Sequence, residues 1–522
     1  MDKSSNKNLY FFLSVILILK ILFSFFIELG NDEAYYYTYA IKPQFNYFDH
    51  PPMVGLLIRL STFNLTIVND VLLRLGPSIC CLIASIFLFK TVELLFNRKS
   101  AWYSIIIYNF SVYSSIIAGW FILPDSPQLP FWCCALYIMI KIIFQKKDKE
   151  ILQWIFLGCI IGLATLCKIH ALYLWVGLGF FILMYRIKWL LNWRLYLSFF
   201  ITLLFLLPIL KWNIDNLFIT YKFHSERVSN TSLKFDSLIR EIFGEALYQN
   251  PILFVLIIVS IVFIIKQKKQ KQETTNKKEF LFLMSLPMIF LFWGFSLFND
   301  IFPHWSGPAY IPLYIIAGYY LSEKFSNQFP IWLKLSASLL LIAMFSIIYL
   351  ANFSSLNLGS KEKESFGEYS LTLDISGWKD FSNEFNKIVK QDIAKGKMQQ
   401  KSKIVVNKWF PAGQLDLYTS RKTGLSIFAI GSLEDVHHYA WLNKIRVPLM
   451  LGDDAYCIVP SNIPTNVIES YSSYFTNIQQ PDTIKQLRQG SVVRYFYIWR
   501  LKKCKQAPQD ILEHNFNKIM AR

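Results

Sequence analysis

Apolar stretches of membrane-spanning length, about 20 residues for a ~30 Å hydrocarbon core, recur through the first 350 positions of the chain. Eleven spans are predicted, at 9–27, 71–95, 102–118, 127–144, 151–166, 169–185, 195–212, 251–265, 280–297, 309–321 and 332–351. Met1 to Asn8 is polar with two lysines, and no small-residue cleavage site closes the apolar run that follows. The first span therefore reads as an uncleaved helix. From about 352 the apolar runs stop. Ile375 to Val389 shows helical spacing, and Ile404–Val406, Leu415–Tyr418, Tyr456–Val459 and Val492–Trp499 read as short strands.

The loops between spans alternate in charge. Asn97–Lys99, Gln145–Lys149, Arg186–Arg194 and Lys266–Lys278 are short and basic, and the last reads as a solvated, disordered loop. By the positive-inside rule these loops and the N-terminus face the cytoplasm. The loops at 28–70, 119–126, 213–250 and 298–308, the turn near Lys168 and the whole tail then face outward. Met53 to Phe63 is apolar but too short to span, and predicts a helix lying in the headgroup plane; 236–248 is a second candidate. The expected architecture is an α-helical polytopic membrane domain, 1–351, followed by an external α/β domain, 352–522.

Composition adds limits. The chain is 54% apolar and 17% charged, with a net charge of +18. In a membrane protein that excess speaks for topology and anionic lipid surfaces, and no nucleic-acid motif accompanies it. Cys80–Cys81 and Cys133–Cys134 lie inside apolar helices without metal-ligand spacing and read as small buried hydrophobes. Cys457 and Cys504, in the tail, have the chance to pair in an oxidising compartment.

Sorting ionisable residues by expected side isolates Asp32, Glu33, Asp49, His50, Asp125, Lys168, His170, His224, Glu226, Arg227 and His304. All fall in outward loops or at outer helix ends, and they come from several separate segments. Charges beside apolar sequence are costly to keep, roughly 2.5–3.5 kcal/mol at a helix centre and less near the ends. Groups retained at that cost are functional candidates. Tyr35, Tyr36, Tyr37 and Tyr39 read as an interfacial aromatic belt.

Four motifs in order resemble one known family. Asp32-Glu33-Ala34-Tyr35-Tyr36 with Tyr47-Phe48-Asp49-His50-Pro51-Pro52-Met53 resembles the first external loop of GT-C glycosyltransferases. More narrowly, it is similar to bacterial relatives of dolichyl-phosphate-mannose protein mannosyltransferases and to lipid A aminoarabinose transferase. Leu123-Pro124-Asp125-Ser126-Pro127, Leu166-Cys167-Lys168-Ile169-His170 and Pro303 to Tyr310 resemble the family's later segments, as does Trp409 to Tyr418 more weakly. The resemblance implies an inverting transfer on the outer face of the cytoplasmic membrane. A sugar leaves a polyprenyl phosphate for a lipid, glycan or protein acceptor. That reaction needs a base for the acceptor hydroxyl, cations for the departing phosphate and an apolar path for the lipid.

On the resemblance, Asp32 is the general base and Glu33 orients it or the acceptor. The alternative for this pair is a plain helix cap. His50 is the phosphate contact; Asp49-His50 stands where aminoarabinose transferases carry a Glu–Lys pair, so its charge depends on Asp49 and on bound phosphate. Lys168 contacts the phosphate, pairs with Asp125, or simply snorkels to water. Arg227 suits phosphate recognition but has no matching motif. Asp49, Asp125 and His304 complete the set. No cofactor is implied. A divalent cation is chemically feasible, but no metal motif appears, and metal-free base catalysis agrees with the resembled enzymes. The rival readings are a transporter or flippase, which would carry mid-bilayer charges and internal repeats, and a non-catalytic lipid-binding protein. Protein mannosylation, lipid A modification and polysaccharide decoration all fit the motifs.

Overall fold

The structure, a computed structural model, describes residues 3–145, 150–227, 232–267, 272–325 and 328–520. The chain divides into two compact units. The first comprises Met1–Ile21, Asp49–Ser61 and Leu73–Ala343; the second comprises Leu22–Phe48, Thr62–Leu72 and Met344–Arg522.

The first unit is helical and built as the apolar pattern predicts. Among the described residues, six helices of the chain are long and apolar enough to cross a membrane: Lys7–Ser24, Asp70–Leu95, Asp125–Phe144, Trp193–Asp215, Thr274–Ser296 and Ile331–Asn352. A seventh candidate is the pair Phe235–Tyr248 and Pro251–Lys266, bent by 101°. Other expected spans form shorter helices, including Arg98–Phe110 of 13 residues, Glu150–Thr165 of 16 and Ile311–Lys324 of 14. At 1.5 Å per residue even 16 residues reach only about 24 Å, short of the hydrocarbon thickness. Of the basic segment expected to be disordered, 268–271 lie outside the described residues, while Gln272–Leu283 is helical and Lys278 Nζ lies 4.9 Å from the Tyr319 ring centroid.

Glu150–Thr165 and Trp193–Asp215 approach unusually closely, because Gly158 and Gly162 stand one turn apart. A Cβ on Gly158 would meet the Ser198 carbonyl at 2.3 Å, and one on Gly162 would meet the Phe205 ring at 2.5 Å. In lipid, where helices gain little from hydrophobic burial against each other, such small-residue faces drive close packing. Thr202 Oγ1 donates to the Gly158 carbonyl at 3.0 Å and accepts from Trp175 Nε1 at 3.1 Å.

The second unit joins the tail to two pieces of the first external loop. Its six strands are β1 (Lys403–Val406), β2 (Ile427–Ala429), β3 (Ala455–Pro460), β4 (Phe475–Ile478), β5 (Asp482–Arg488) and β6 (Ser491–Cys504). The order is β2-β1-β3-β6-β4, with β5 also paired to β6; β1 runs parallel to β2 and β3, and β6 antiparallel to β3. The amphipathic helix Trp378–Ala394 contributes Trp378, Phe381 and Phe385 to the core. Arg494 is fully buried between Trp378 and Phe496, and its guanidinium donates to the carbonyls of Leu373 and Ser376. Leu415–Tyr418, expected as a strand, instead continues helically from Trp409–Gln414 as a wide turn. A four-residue apolar run carries too little periodicity to separate the two. Its Tyr418 hydroxyl donates to Asp70 and accepts from the Leu29 amide, 3.0 and 2.9 Å.

The loop segments enter this unit through specific bonds. Glu28 accepts from the amides of Trp378 and Lys379 at 2.7 and 3.1 Å, capping the helix that starts there. Asn31–Ile41 forms a helix rather than a loop, and its tyrosines are not an exposed belt. Tyr35, Tyr36, Tyr37 and Tyr39 are at most 5% exposed. Tyr39 stacks on Tyr47 at 3.7 Å, and Tyr35 packs against Trp409 and His437. Cys457 and Cys504 remain free thiols in the sheet core. They sit out of register, Cys457 opposite Trp499 and Cys504 opposite Phe475.

Replacing Gly158 with leucine should force the two helices apart. The expected cost is about 1–3 kcal/mol of overpacking, read as a lower melting temperature of the detergent-purified protein, with Gly179→Leu, at an open position, as the control that leaves it unchanged.

Candidate active site

The buried carboxylate of Asp125 organises the candidate site of the first unit. Asp125 opens the Asp125–Phe144 helix and is 1% exposed. Lys168 Nζ contacts both its oxygens, at 2.9 and 3.2 Å, and the Tyr113 hydroxyl donates to Oδ1 at 3.0 Å. Lys168 reaches this position because the Glu150–Thr165 helix ends just before it, and its backbone is extended. Gln128, one turn along from Asp125, donates to the Lys168 carbonyl at 3.0 Å and lies 3.0 Å from His170 Nε2. The segments 123–128 and 166–170 are thereby tied together through Asp125, Gln128, Lys168 and His170.

Asp49 and His50 join from the segment that precedes the Met53–Ser61 helix, the helix expected from the apolar run. The Met53 amide donates to the Leu166 carbonyl at 3.1 Å, fixing this segment beside Lys168. His224 donates through Nε2 to the Asp49 carbonyl at 2.7 Å, and the His50 and His224 rings lie 6.0 Å apart. His50 Nε2 and the Asp49 carboxylate are 4.0 Å apart. Burial outweighs the pull of Asp49 and drives the His50 imidazole down to about 3; His224 and Lys168 push the same way, and Asp125 opposes them. The His50 side chain keeps 20% exposure, yet the groups around it exclude most bulk water.

His304 completes the cluster from the 298–308 loop. Burial first, then Lys168, lowers it to about 4 against the attraction of Asp125. Its ring stacks on Tyr248 at 6.2 Å between centroids. Two residues that the sequence reading missed hold this loop. Glu245, fully buried, accepts from Trp293 Nε1 at 2.7 Å, from Tyr310 OH at 2.9 Å and from the Ser306 hydroxyl. Gly307 lies against Tyr113, where a Cβ would meet the ring at 2.2 Å. The only sequence signal for Glu245 is an acid on the buried face of the expected interfacial helix.

Asp49, His50, Asp125, Lys168 and His304 therefore come together, with His170 and His224 beside them. Asp32 and Glu33 belong to the second unit. There Asp32 is exposed in the first turn of Asn31–Ile41, and Glu33 is buried, its Oε2 accepting from the Gly30 amide at 2.9 Å. Glu33 thus caps its own helix. Arg227 ends the Ile219–Arg227 helix, and its side chain lies outside the described residues. Among the described residues, no group of three His, Cys, Asp or Glu side chains is arranged to hold a metal ion.

Residues 49–212 match the family described as dolichyl-phosphate-mannose-protein mannosyltransferase. Over 95% of this chain and 98% of the other, the structure superimposes on ArnT from Cupriavidus metallidurans in the apo state, with a TM-score of 0.57 at 13% identity. The same enzyme bound to undecaprenyl phosphate gives a TM-score of 0.56 at 13% identity, over 94% and 97% of the two chains. The chain has the GT-C fold. No curated protein sequence matches it. The family match is confined to residues 49–212, the superposition on ArnT shows a shared fold, and among the described residues six helices are long and apolar enough to cross a membrane.

Lys168→Met should leave the Asp125 carboxylate buried without its cation. Breaking a buried pair costs about 3–5 kcal/mol, so the melting temperature should drop sharply, and Asp125→Asn in the same chain should restore part of the loss. A second expectation concerns pH. Folded His50 and His304 titrate near 3 and 4, below the unfolded value near 6.5. Between those limits the unfolded chain binds more protons, so stability rises with pH. Acidification from pH 6.5 toward 4 should lower the melting temperature, and His50→Gln with His304→Gln should flatten that slope.

Proposed function

We propose that this protein is an inverting glycosyltransferase that moves a sugar from a polyprenyl-phosphate donor to a cell-surface lipid, glycan or protein acceptor. The observation that carries the reading is the assembly of Lys168, His50 and His304 around Asp125 from four distant segments, each at an outer helix end or in a loop. A structural ion pair needs two residues; it does not need His50 and His304 kept at the cost of burial. ArnT from C. metallidurans, which shares this fold, is bound to undecaprenyl phosphate in its crystal structure, which supports a polyprenyl phosphate as the donor lipid.

In this reading the donor phosphate meets Lys168 and His50, with Arg227 a further cationic contact. Lys168, held in place by Asp125, stabilises negative charge as the sugar–phosphate bond breaks. A phosphate beside His50 favours its protonated form, reversing the effect of burial, so donor binding takes up a proton at this residue. Asp49 and His304 set the field around it. Asp32 accepts the acceptor's proton as its oxygen attacks the anomeric carbon, an assignment that rests on the Asp-Glu motif; Glu33 holds the turn that presents Asp32. The protein works in the cytoplasmic membrane with its N-terminus inside and its sheet domain outside.

Asp32→Asn should reduce turnover by at least about a hundredfold, the loss typical of removing a general base, while undecaprenyl-phosphate binding stays within about twofold of the parent. Full activity in that variant would remove Asp32 from the mechanism. Lys168→Met should instead weaken binding of the lipid phosphate, measured by titration in nanodiscs.

A further inference from the structure

The C-terminal sheet domain contains a cavity of about 460 Å³ that none of the residues assigned to transfer lines. It opens at the carboxyl ends of two parallel strands. Asn407 directly follows β1, and Ile430 directly follows β2. The chain leaves β1 toward β2 on one side, then crosses to β3 on the other. Crevices at such a reversal of direction, beyond the carboxyl ends of parallel strands, are where open α/β sheets bind ligands. The volume falls within the ~300–1,000 Å³ usual for small-molecule sites.

Its lining is selective in chemistry. Glu434 and Asp435 stand on the short helix Leu433–Val436, which Ser432 caps by accepting from the Asp435 amide at 3.1 Å. Ser432 also donates to Asp435 Oδ2 at 2.8 Å, which fixes that carboxylate's orientation. Asn407 Nδ2 lies 3.4 Å from Ser470 Oγ. Another wall is the C-terminal segment, where Asn515 Nδ2 is buried with no hydrogen-bond partner among the described residues. A buried amide donor without a partner costs free energy, and a ligand oxygen at that point would remove the cost. Tyr474, Leu433 and Ile511 add apolar surface, His514 stands beside Asn515, and among the described residues no lysine or arginine lines the cavity.

We propose that this cavity binds a saccharide, uncharged or carrying an amino group, and not a phosphorylated one. Carboxylates and amides accept from and donate to adjacent hydroxyls, and the tyrosine and aliphatic side chains cover the C–H face of a pyranose. The two carboxylates of the lining disfavour a phosphate. The proposal goes beyond the transferase reading and is independent of it, since it shares no residue with the site around Asp125.

The test is a glycan array of neutral, amino and phosphorylated sugars probed with the purified full-length protein in nanodiscs, followed by calorimetric titration of the saccharides retained. Neutral or amino sugars should bind, and Glu434→Gln and Tyr474→Ala should each weaken them about tenfold or more, the loss expected for a hydrogen bond to a charged group or a stacking face. Asp32→Asn should bind as the parent does, so a failed transferase reading leaves this result standing. Glu434→Gln alters one exposed carboxylate at nearly constant shape, which separates lost recognition from lost folding. No retained saccharide, a preference for phosphorylated sugars, or equal binding by both cavity variants would overturn the proposal.

Discussion

The buried ion pair between Asp125 and Lys168 is the constraint on which the site depends. Neither group is tolerable alone at this depth: an unpaired charge beside the hydrocarbon region costs several kcal/mol. The pair therefore fixes the start of the Asp125–Phe144 helix against the end of Glu150–Thr165. Tyr113 and Gln128 satisfy the remaining polar positions. Other contacts hold those in place. Gly307 leaves room for the Tyr113 ring, and Glu245 fixes the loop that carries Gly307 and His304.

Around this pair the histidines are held neutral by burial, which makes the empty site different from one that holds phosphate. A permanent cation in place of His50 would attract anions at any pH. A histidine at that position responds to its ligand, because phosphate supplies the counter-charge that burial denies it. Asp49 at 4.0 Å is too distant to keep the imidazole charged against burial. On the proposed function, donor recognition and proton uptake are coupled in consequence.

Much of this was legible in the sequence, for physical reasons. Apolar runs announced the helices, and polar groups kept beside them announced the cluster. Asp49, His50, Asp125, Lys168 and His304 are among the eleven ionisable residues that the expected side isolates, the family resemblance singles them out, and the structure brings them together. What escaped depends on tertiary contacts. Nothing local distinguishes the tyrosines of 35–39 from a membrane-interface belt; their partners Trp409, His437 and His438 lie nearly 400 residues further along. Glu245 looked like one acid on an amphipathic helix until its three donors were known. Leu415–Tyr418 was too short for its period to be read, and β4 and β5 are largely exposed and polar, so they lack a strand's apolar alternation.

The central claim is that the cluster around Asp125 and Lys168 holds the phosphate of a lipid-linked donor. The most direct measurement is a cryo-electron microscopy structure of the protein in nanodiscs with undecaprenyl phosphate. The account predicts phosphate density within hydrogen-bond reach of Lys168 Nζ or the His50 ring. Phosphate bound elsewhere, with the Asp125–Lys168 cluster empty, would contradict it.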